Sequence, residues 1–538
     1  MSNTKFLQKK HILAIDDLAD FRAAIKRMVE TFGAINIDVA LSGEDALEQM
    51  ARKNYDIILC DYNLGEGKDG QQVLEEAKFK GILRNDQIFI IITGESTTEM
   101  VMGALEYEPD GYLIKPFNHE MLFTRLERIM GIKQELKDIY KALEHKEYEK
   151  VINLAEQKIS EGKLVPNCIK IKANMLMKLE KFDMARELFN SLLQKERPAW
   201  VLLGLGKVHF FEKNYTDAAQ VFQEIIKIGP NFVEAYDWLA KSKIELGQIY
   251  EAQRILEKAV KISPKAILRQ QVLAEVALKN ADGETAERAL RTAVGLGKNS
   301  VYRKQEDYFN LADTLLNKAT DTGGGLSSKR ASDEAINILE GVSHIYEDDK
   351  DIQAKSAVYQ GRAMVTQGRP DKAKNMLERA EEIMKNHFVK LDPKDMLNLA
   401  KTHVELGNKK KGEALIKKVL AETIGDETVS KQAEDIAEAL DLVVSEKSLN
   451  RQGIRLFESG QLKEAAELFD KAVIEMPNNY SALLNAAQAN MQYMKKEGAQ
   501  KSMLDKVRKM LDAVKDMPES DKRYDRYQQL LKIFQEIS

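Results

Sequence analysis

The sequence predicts an α/β domain built on an open parallel sheet, followed by a long all-α array of paired helices. Three observations carry this. Short apolar runs rich in β-branched residues are confined to the first part of the chain, and each ends on a polar residue. From about residue 135 those runs vanish and a repeat of 34 residues replaces them. Charged residues make up 31% of the chain and aromatics 7%, a balance that suits helix-rich architecture.

The first run, His11–Ile15, ends on Asp16 and Asp17, and the run Asp56–Cys60 delivers Asp61. Ile88–Ile92 leads to Thr93, and Gly111–Ile114 leads to Lys115, which precedes Pro116. In an open parallel sheet the C-terminal strand ends meet at the crevice where ligands bind. Three carboxylates, a hydroxyl and an ammonium therefore converge. Clustered carboxylates repel one another unless a cation neutralises them, and a hard divalent ion with oxygen ligands suits such a site, Mg²⁺ above others. Asp61 is then the carboxylate nucleophile that forms an aspartyl-phosphate, with Lys115 pairing with phosphoryl oxygens and Thr93 donating a hydroxyl.

Residues from about 10 to 132 resemble the receiver domain of two-component response regulators, through Asp16-Asp17, Asp61, Thr93 and Lys115-Pro116 within "GYLIKPF". The resemblance implies a flavodoxin-like fold with a five-stranded parallel sheet. It implies that Asp16, Asp17, Asp61 and the backbone carbonyl of Asn63 place a magnesium ion. Thr93 and Tyr112 are implied as the switch pair, and a histidine kinase or phosphotransfer protein as the phosphoryl donor. The loop Tyr62–Gly70 departs from the family, which usually has a proline there and a loop shorter by one residue. The implied output face is built from helices near Thr97–Tyr107 and Asn118–Met130 with the strand Gly111–Ile114. Its motion should reach the array by reorienting the repeats or by changing a homodimer contact through the receiver.

With 538 residues the chain is too long for one core, and its net charge of −4 gives no global attraction to nucleic acid or acidic membranes. Two cysteines, Cys60 and Cys168, exclude a disulfide framework and suit a reducing cytoplasm. No apolar run approaches the roughly 18 residues that span a bilayer, and Met1–Lys10 lacks an apolar signal region.

In the array, Leu205, Leu239 and Leu273 are spaced by 34, as are Gly206, Ala240 and Ala274. The same spacing links Ala218, Ala252 and Ala286, and then Phe222, Leu256 and Leu290, while Pro230 and Pro264 close two units. Small residues let paired helices approach closely, and proline stops the second helix. These units are similar to tetratricopeptide repeats, which implies a curved solenoid whose groove binds a protein or peptide. Ala185 with Phe189, and Tyr148 with Ala155, mark looser units upstream; Ala335, Ala373 and Gly412 mark them downstream, and Gly453, Ala465, Phe469 and Pro477 restore a strong match.

The expected organisation is a tail at 1–9, the receiver domain at 10–132, regular repeats at 133–300 and irregular hairpins at 301–420 with a flexible insertion at 320–332. A helical spacer at 421–448 and C-terminal repeats with terminal helices at 449–538 complete it.

Weaker signals favour plain structure. Lys207, Lys243 and Asn398 are groove candidates, but a solvated helix face accounts for each. The run Lys409–Lys411 with Lys417 and Lys418 lacks interleaved aromatics, and the seven histidines show no metal-ligand spacing. No basic recognition helix follows the receiver, which disfavours DNA binding. The leading function is a phosphorylation-dependent response regulator with protein-binding output, not an enzyme acting on an external substrate. A constitutive scaffold with a docking receiver, or a nucleic-acid-associated regulator, are the alternatives.

Overall fold

The computed structural model describes residues 6–94, 106–194, 197–321, 325–422, 427–440, 442, 446–475, 477, 479–498, 500–518, 521 and 523–537. Two compact units divide at Thr314/Leu315.

The first unit opens with a five-stranded sheet: β1 (His11–Ile15), β2 (Asn36–Ala40), β3 (Ile57–Asp61), β4 (Ile88–Thr93) and β5 (Gly111–Ile114). All neighbours are parallel and the order is β2-β1-β3-β4-β5. This is the predicted architecture. β3 and β4 are buried throughout because helices cover both faces, which explains their uninterrupted apolar runs. Alternate residues serve two cores: Leu13, Ile15, Ile58 and Phe89 face one way, and Ile12, Ala14, Ile57 and Ile90 the other.

The covering helices are α1 (Ala19–Thr31), α2 (Gly43–Arg52), α3 (Gly70–Phe79) and α4 (His119–Glu135). Side chains that accept from early backbone amides start three of them: Ser42 from Asp45, Asp69 from Gln72 and Asn118 from Met121. Gln72 completes a capping box on Asp69. Most of the helix expected near Thr97–Tyr107 lies outside the described residues.

Two boundaries of the first domain need correction. Phe6 and Leu7 are not tail: Leu7 is fully buried in the α1/α4 core, its amide donates to the Phe32 carbonyl at 3.0 Å, and Phe6 packs on Phe123. Apolar burial anchors this end of the expected tail. The expected break at 132/133 falls inside α4, which continues to Glu135, with the next helix starting at Lys137.

In the rest of this unit the period is visible directly. Helices begin at Ala199, Val233 and Ile267, and their partners at Tyr215, Ile249 and Gly283, each step being 34 residues. The hairpin turns repeat as well: Lys213, Gly247 and Ala281 all have positive φ, again 34 apart. Gly206 lies under Phe222, where a Cβ would stand 2.5 Å from a ring carbon.

The second unit is also helical, with pairs such as Lys350–Thr366 and Pro370–His387, Pro393–Glu405 and Lys409–Glu422, and Glu446–Glu458 and Leu462–Glu475. The flexible insertion expected at 320–332 is largely helix instead. Gln305–Asp321 includes its start, and Leu326–Ile345 takes in Leu326–Ser332. Ser328 donates its hydroxyl to the Ala319 carbonyl at 2.7 Å and Ser332 donates to the Ser328 carbonyl at 3.0 Å, so both serines bond within packed helices. No helix among the described residues is long and apolar enough to cross a membrane.

Candidate functional site: a carboxylate crevice at the strand ends

The strand order reverses between β1 and β3, and the site lies at their C-terminal ends, where this topology opens a crevice. Asp61 is the last residue of β3 and Asp16 follows β1; both are buried, whereas Asp17 is exposed. One carboxylate oxygen from each of the three lies within 4.8 Å of the others. Thr93 ends β4 and is 3% exposed, and its carbonyl accepts from the Lys115 amide at 2.6 Å. The four predicted strand ends thus meet.

Lys115 links the two buried carboxylates. Its ammonium is 2.8 Å from Asp61 Oδ1 and 3.0 Å from Asp16 Oδ2, and it lies 3.9 Å from the centre of the Phe21 ring. Burial lifts the Asp61 carboxyl above its ordinary pKa; Lys115 pulls it back, and Asp16 and Asp17 push it up. Burial works against the Lys115 ammonium, but its bonds and charge attraction to Asp61 and Asp16 prevail and raise its pKa.

The backbone around Asp16 is fixed by the Leu18 amide, which donates to Oδ1 at 2.9 Å, and by Arg22, which donates to the Asp16 carbonyl at 2.6 Å. Sequence reading missed Phe21 and Arg22, because an α1 side chain aimed at the crevice has no local motif. It also missed Gly70. A Cβ there would stand 2.2 Å from the Asp61 carbonyl oxygen, so only glycine lets α3 start directly against the strand end.

Asn63 lies two residues beyond Asp61 in an exposed stretch of the loop, and its side-chain oxygen accepts from the Gly65 amide at 3.4 Å. The loop is pinned from α2: Glu44 accepts from the Lys68 amide at 2.9 Å, and Gly67 leaves room for that carboxylate. Tyr112 lies on β5, half-buried and packed against the α2/α3 core.

The donor set suits a hard cation. Ligand oxygens around one Mg²⁺ lie at most about 4.2 Å apart, twice the usual bond length. The three carboxylate oxygens lie within 4.8 Å of one another, and the exposed Asp17 is the member with room to turn inward.

The groove candidates resolve differently. Lys207 pairs with Glu234 at 2.6 Å and Lys243 with Glu251 at 2.6 Å, and both lysines are half-buried rather than on a solvated face. Asn398 is instead buried, donating to the Tyr359 hydroxyl at 3.0 Å and accepting from Arg362 at 3.1 Å.

Known proteins are similar to two parts of this chain. Residues 12–127 match the family described as response regulator receiver domain. Residues 172–231 and 209–275 match families described as tetratricopeptide repeat. Over 127 residues the chain is 32% identical to the transcriptional regulatory protein ZraR of Salmonella typhimurium, covering 24% of this chain and only 28% of that protein. Over 118 residues it is 27% identical to the chemotaxis protein CheY of Pseudomonas aeruginosa, covering 22% of this chain and 94% of CheY. Among solved structures, the chemotaxis protein CheY4 of Vibrio cholerae aligns with 23% identity and a TM-score of 0.21, covering 22% of this chain and 98% of that one.

Proposed function

We propose, from the response regulator receiver domain and the tetratricopeptide repeats this chain carries, that it is a phosphorylation-dependent response regulator whose output is protein binding. The observation that carries the reading is the convergence of Asp16, Asp17 and Asp61 with Lys115 at 2.8 Å from Asp61. A partner histidine kinase or phosphotransfer protein supplies the phosphoryl group. One Asp61 oxygen forms the new O–P bond as the donor's bond to phosphorus breaks, and the electron pair leaves with the donor.

Asp16, Asp17, Asp61 and the Asn63 carbonyl would hold Mg²⁺, which supplies charge neutralisation for the carboxylates and the transferring group. Lys115, already between Asp61 and Asp16, follows the charge onto the phosphoryl oxygens. Thr93 donates its hydroxyl to one of them, and Tyr112 turns with the β5 face. The chain acts on its own Asp61 and not on an external substrate. The repeat groove takes a protein or peptide ligand, and the reading assigns the chain to the bacterial cytoplasm, where the free thiols Cys60 and Cys168 stay reduced.

Incubation with acetyl phosphate and Mg²⁺ tests this. The intact mass should rise by about 80 daltons, one added phosphoryl group, and Asp61→Asn should abolish the rise. An undiminished adduct on Asp61→Asn would refute the assignment.

A further inference from the structure

The loop that follows Asp61 is gripped by the repeat array within the same compact unit. Lys68 donates its ammonium to the Asn299 carbonyl at 2.6 Å, and the Asn299 side chain donates back to the Gly67 carbonyl at 2.7 Å. One helical turn on, the α3 carboxylate Glu75, 3% exposed, accepts from the Ser300 hydroxyl and from the Val301 amide. A buried carboxylate depends on such donors, and here the array supplies them.

A second set of contacts grips the other side of the site. Arg269, held by Asp237 through two bonds of 2.7 Å, donates to Glu106 at 3.0 Å, just before β5. Lys265 places its ammonium 5.2 Å from the ring centre of Tyr62, the residue after Asp61. These contacts are largely polar, and polar interfaces within a chain come apart more readily than hydrophobic ones.

We propose that residues 296–303, with Arg269, form a built-in docking element for the receiver, whose binding opposes phosphorylation of Asp61 and is released by it. The proposal rests on the phosphorylation reading above. In the docked arrangement Lys115 pairs with the carboxylate of Asp61 itself. Acyl phosphate formation moves that charge outward onto phosphoryl oxygens, Lys115 follows, and the β5 segment that carries it must adjust. The dock holds both flanks of that adjustment: the loop through Gly67 and Lys68, and the entry to β5 through Glu106. At the loop's far end Gly70 donates its amide to the Tyr62 carbonyl at 2.8 Å, so α3 starts directly beside Asp61. Linkage makes the effect reciprocal: if phosphorylation weakens the dock, the dock disfavours phosphorylation by the same factor.

The test follows phosphorylation of the full chain by acetyl phosphate with Mg²⁺, read as intact mass against time. The Asn299→Ala/Ser300→Ala chain should be phosphorylated at least about fivefold faster than wild type, because the observed rate scales with the fraction of chains already undocked. Lys68→Ala breaks the same contact from the receiver side and should act in the same direction, which guards against a folding defect in the array. Adding beryllofluoride to wild type should raise hydrogen exchange across 296–303. Adducts forming at equal or slower rates in the variants, or unchanged exchange at 296–303, overturn the proposal and leave phosphorylation of Asp61 standing. Absence of an adduct from every chain overturns the phosphorylation reading and this proposal with it.

Discussion

Gly70 stands against the phospho-acceptor: a Cβ on it would lie 2.2 Å from the carbonyl oxygen of Asp61 and 3.1 Å from Cys60 Sγ. The nearer contact cannot be relieved by swinging a flexible side chain, because that atom belongs to the backbone of a buried strand. Gly70→Ala must therefore push α3 away from β3 and tilt the Asp61 carboxylate. We expect a loss of about 1–3 kcal/mol in stability, the usual cost of overpacking. Phosphorylation should slow by at least about tenfold, because small misplacements of a reacting group are costly. Thermal unfolding and the acetyl phosphate assay check the two effects separately.

Asp17 should separate metal binding from folding. It is the exposed member of the cluster, whereas Asp16 and Asp61 are buried and paired with Lys115. Asp17→Asn removes one ligand and also relieves repulsion, so stability should change by no more than about 0.5 kcal/mol. Mg²⁺ affinity, measured by calorimetric titration, should fall by about tenfold or more, the scale of losing ligand support at a metal site. Unchanged affinity would remove Asp17 from the ligand set.

What the sequence made legible was governed by local rules. Asp61, Thr93 and Lys115 could be read because buried parallel strands are continuous apolar runs that end abruptly at the crevice. β2 was harder to place, since Asn36–Ala40 is an edge strand with mixed burial and no such run. Leu7 hid among polar neighbours, and Thr320–Ser332 read as a flexible insertion because of Gly323-Gly324-Gly325, whereas Ser328 and Ser332 bond to carbonyls within helices. The bonds from Asn299 and Ser300 to Gly67 and Glu75 join residues more than two hundred positions apart. No periodicity or motif encodes a pairing of that range, and only the folded array brings it about.

The repeat also encodes a volume rule that can be tested. Gly206 sits against Phe222, and Gly453 sits 2.6 Å, as a would-be Cβ, from the ring of Phe469. At the same register the neighbouring repeats carry Ala240 with Leu256 and Ala274 with Leu290. In these four pairs glycine accompanies phenylalanine and alanine accompanies leucine, whereas Gly361 meets Leu377 at the same spacing, so the trade of volume belongs to particular crossings. Gly206→Ala alone should cost about 1–3 kcal/mol. Adding Phe222→Leu should recover most of that loss, a coupling that a double-mutant cycle on denaturant midpoints would detect. Simple additivity would mean that the two positions do not share the crossing.

In the second unit Asp395 sets a pH dependence. It is 1% exposed, and burial pushes its carboxyl up from 3.8 to about 6, against the pull of Lys355, whose ammonium lies 2.7 Å away. The Tyr359 hydroxyl donates to it at 2.9 Å, and Lys355 also reaches Asp392 at 3.5 Å. Between the unfolded and folded values the native state keeps a proton that the unfolded chain has released. Stability therefore falls as pH rises from about 4 to about 6, and this contribution levels off above that. Two pKa units correspond to at most about 3 kcal/mol. Asp395→Asn cannot titrate, so its stability relative to wild type should improve as pH rises through the window. Urea midpoints of both chains at about pH 4.5 and about pH 7 would show it, since the midpoint tracks stability when the slope is unchanged. A difference that stays constant between the two conditions would place the Asp395 proton elsewhere.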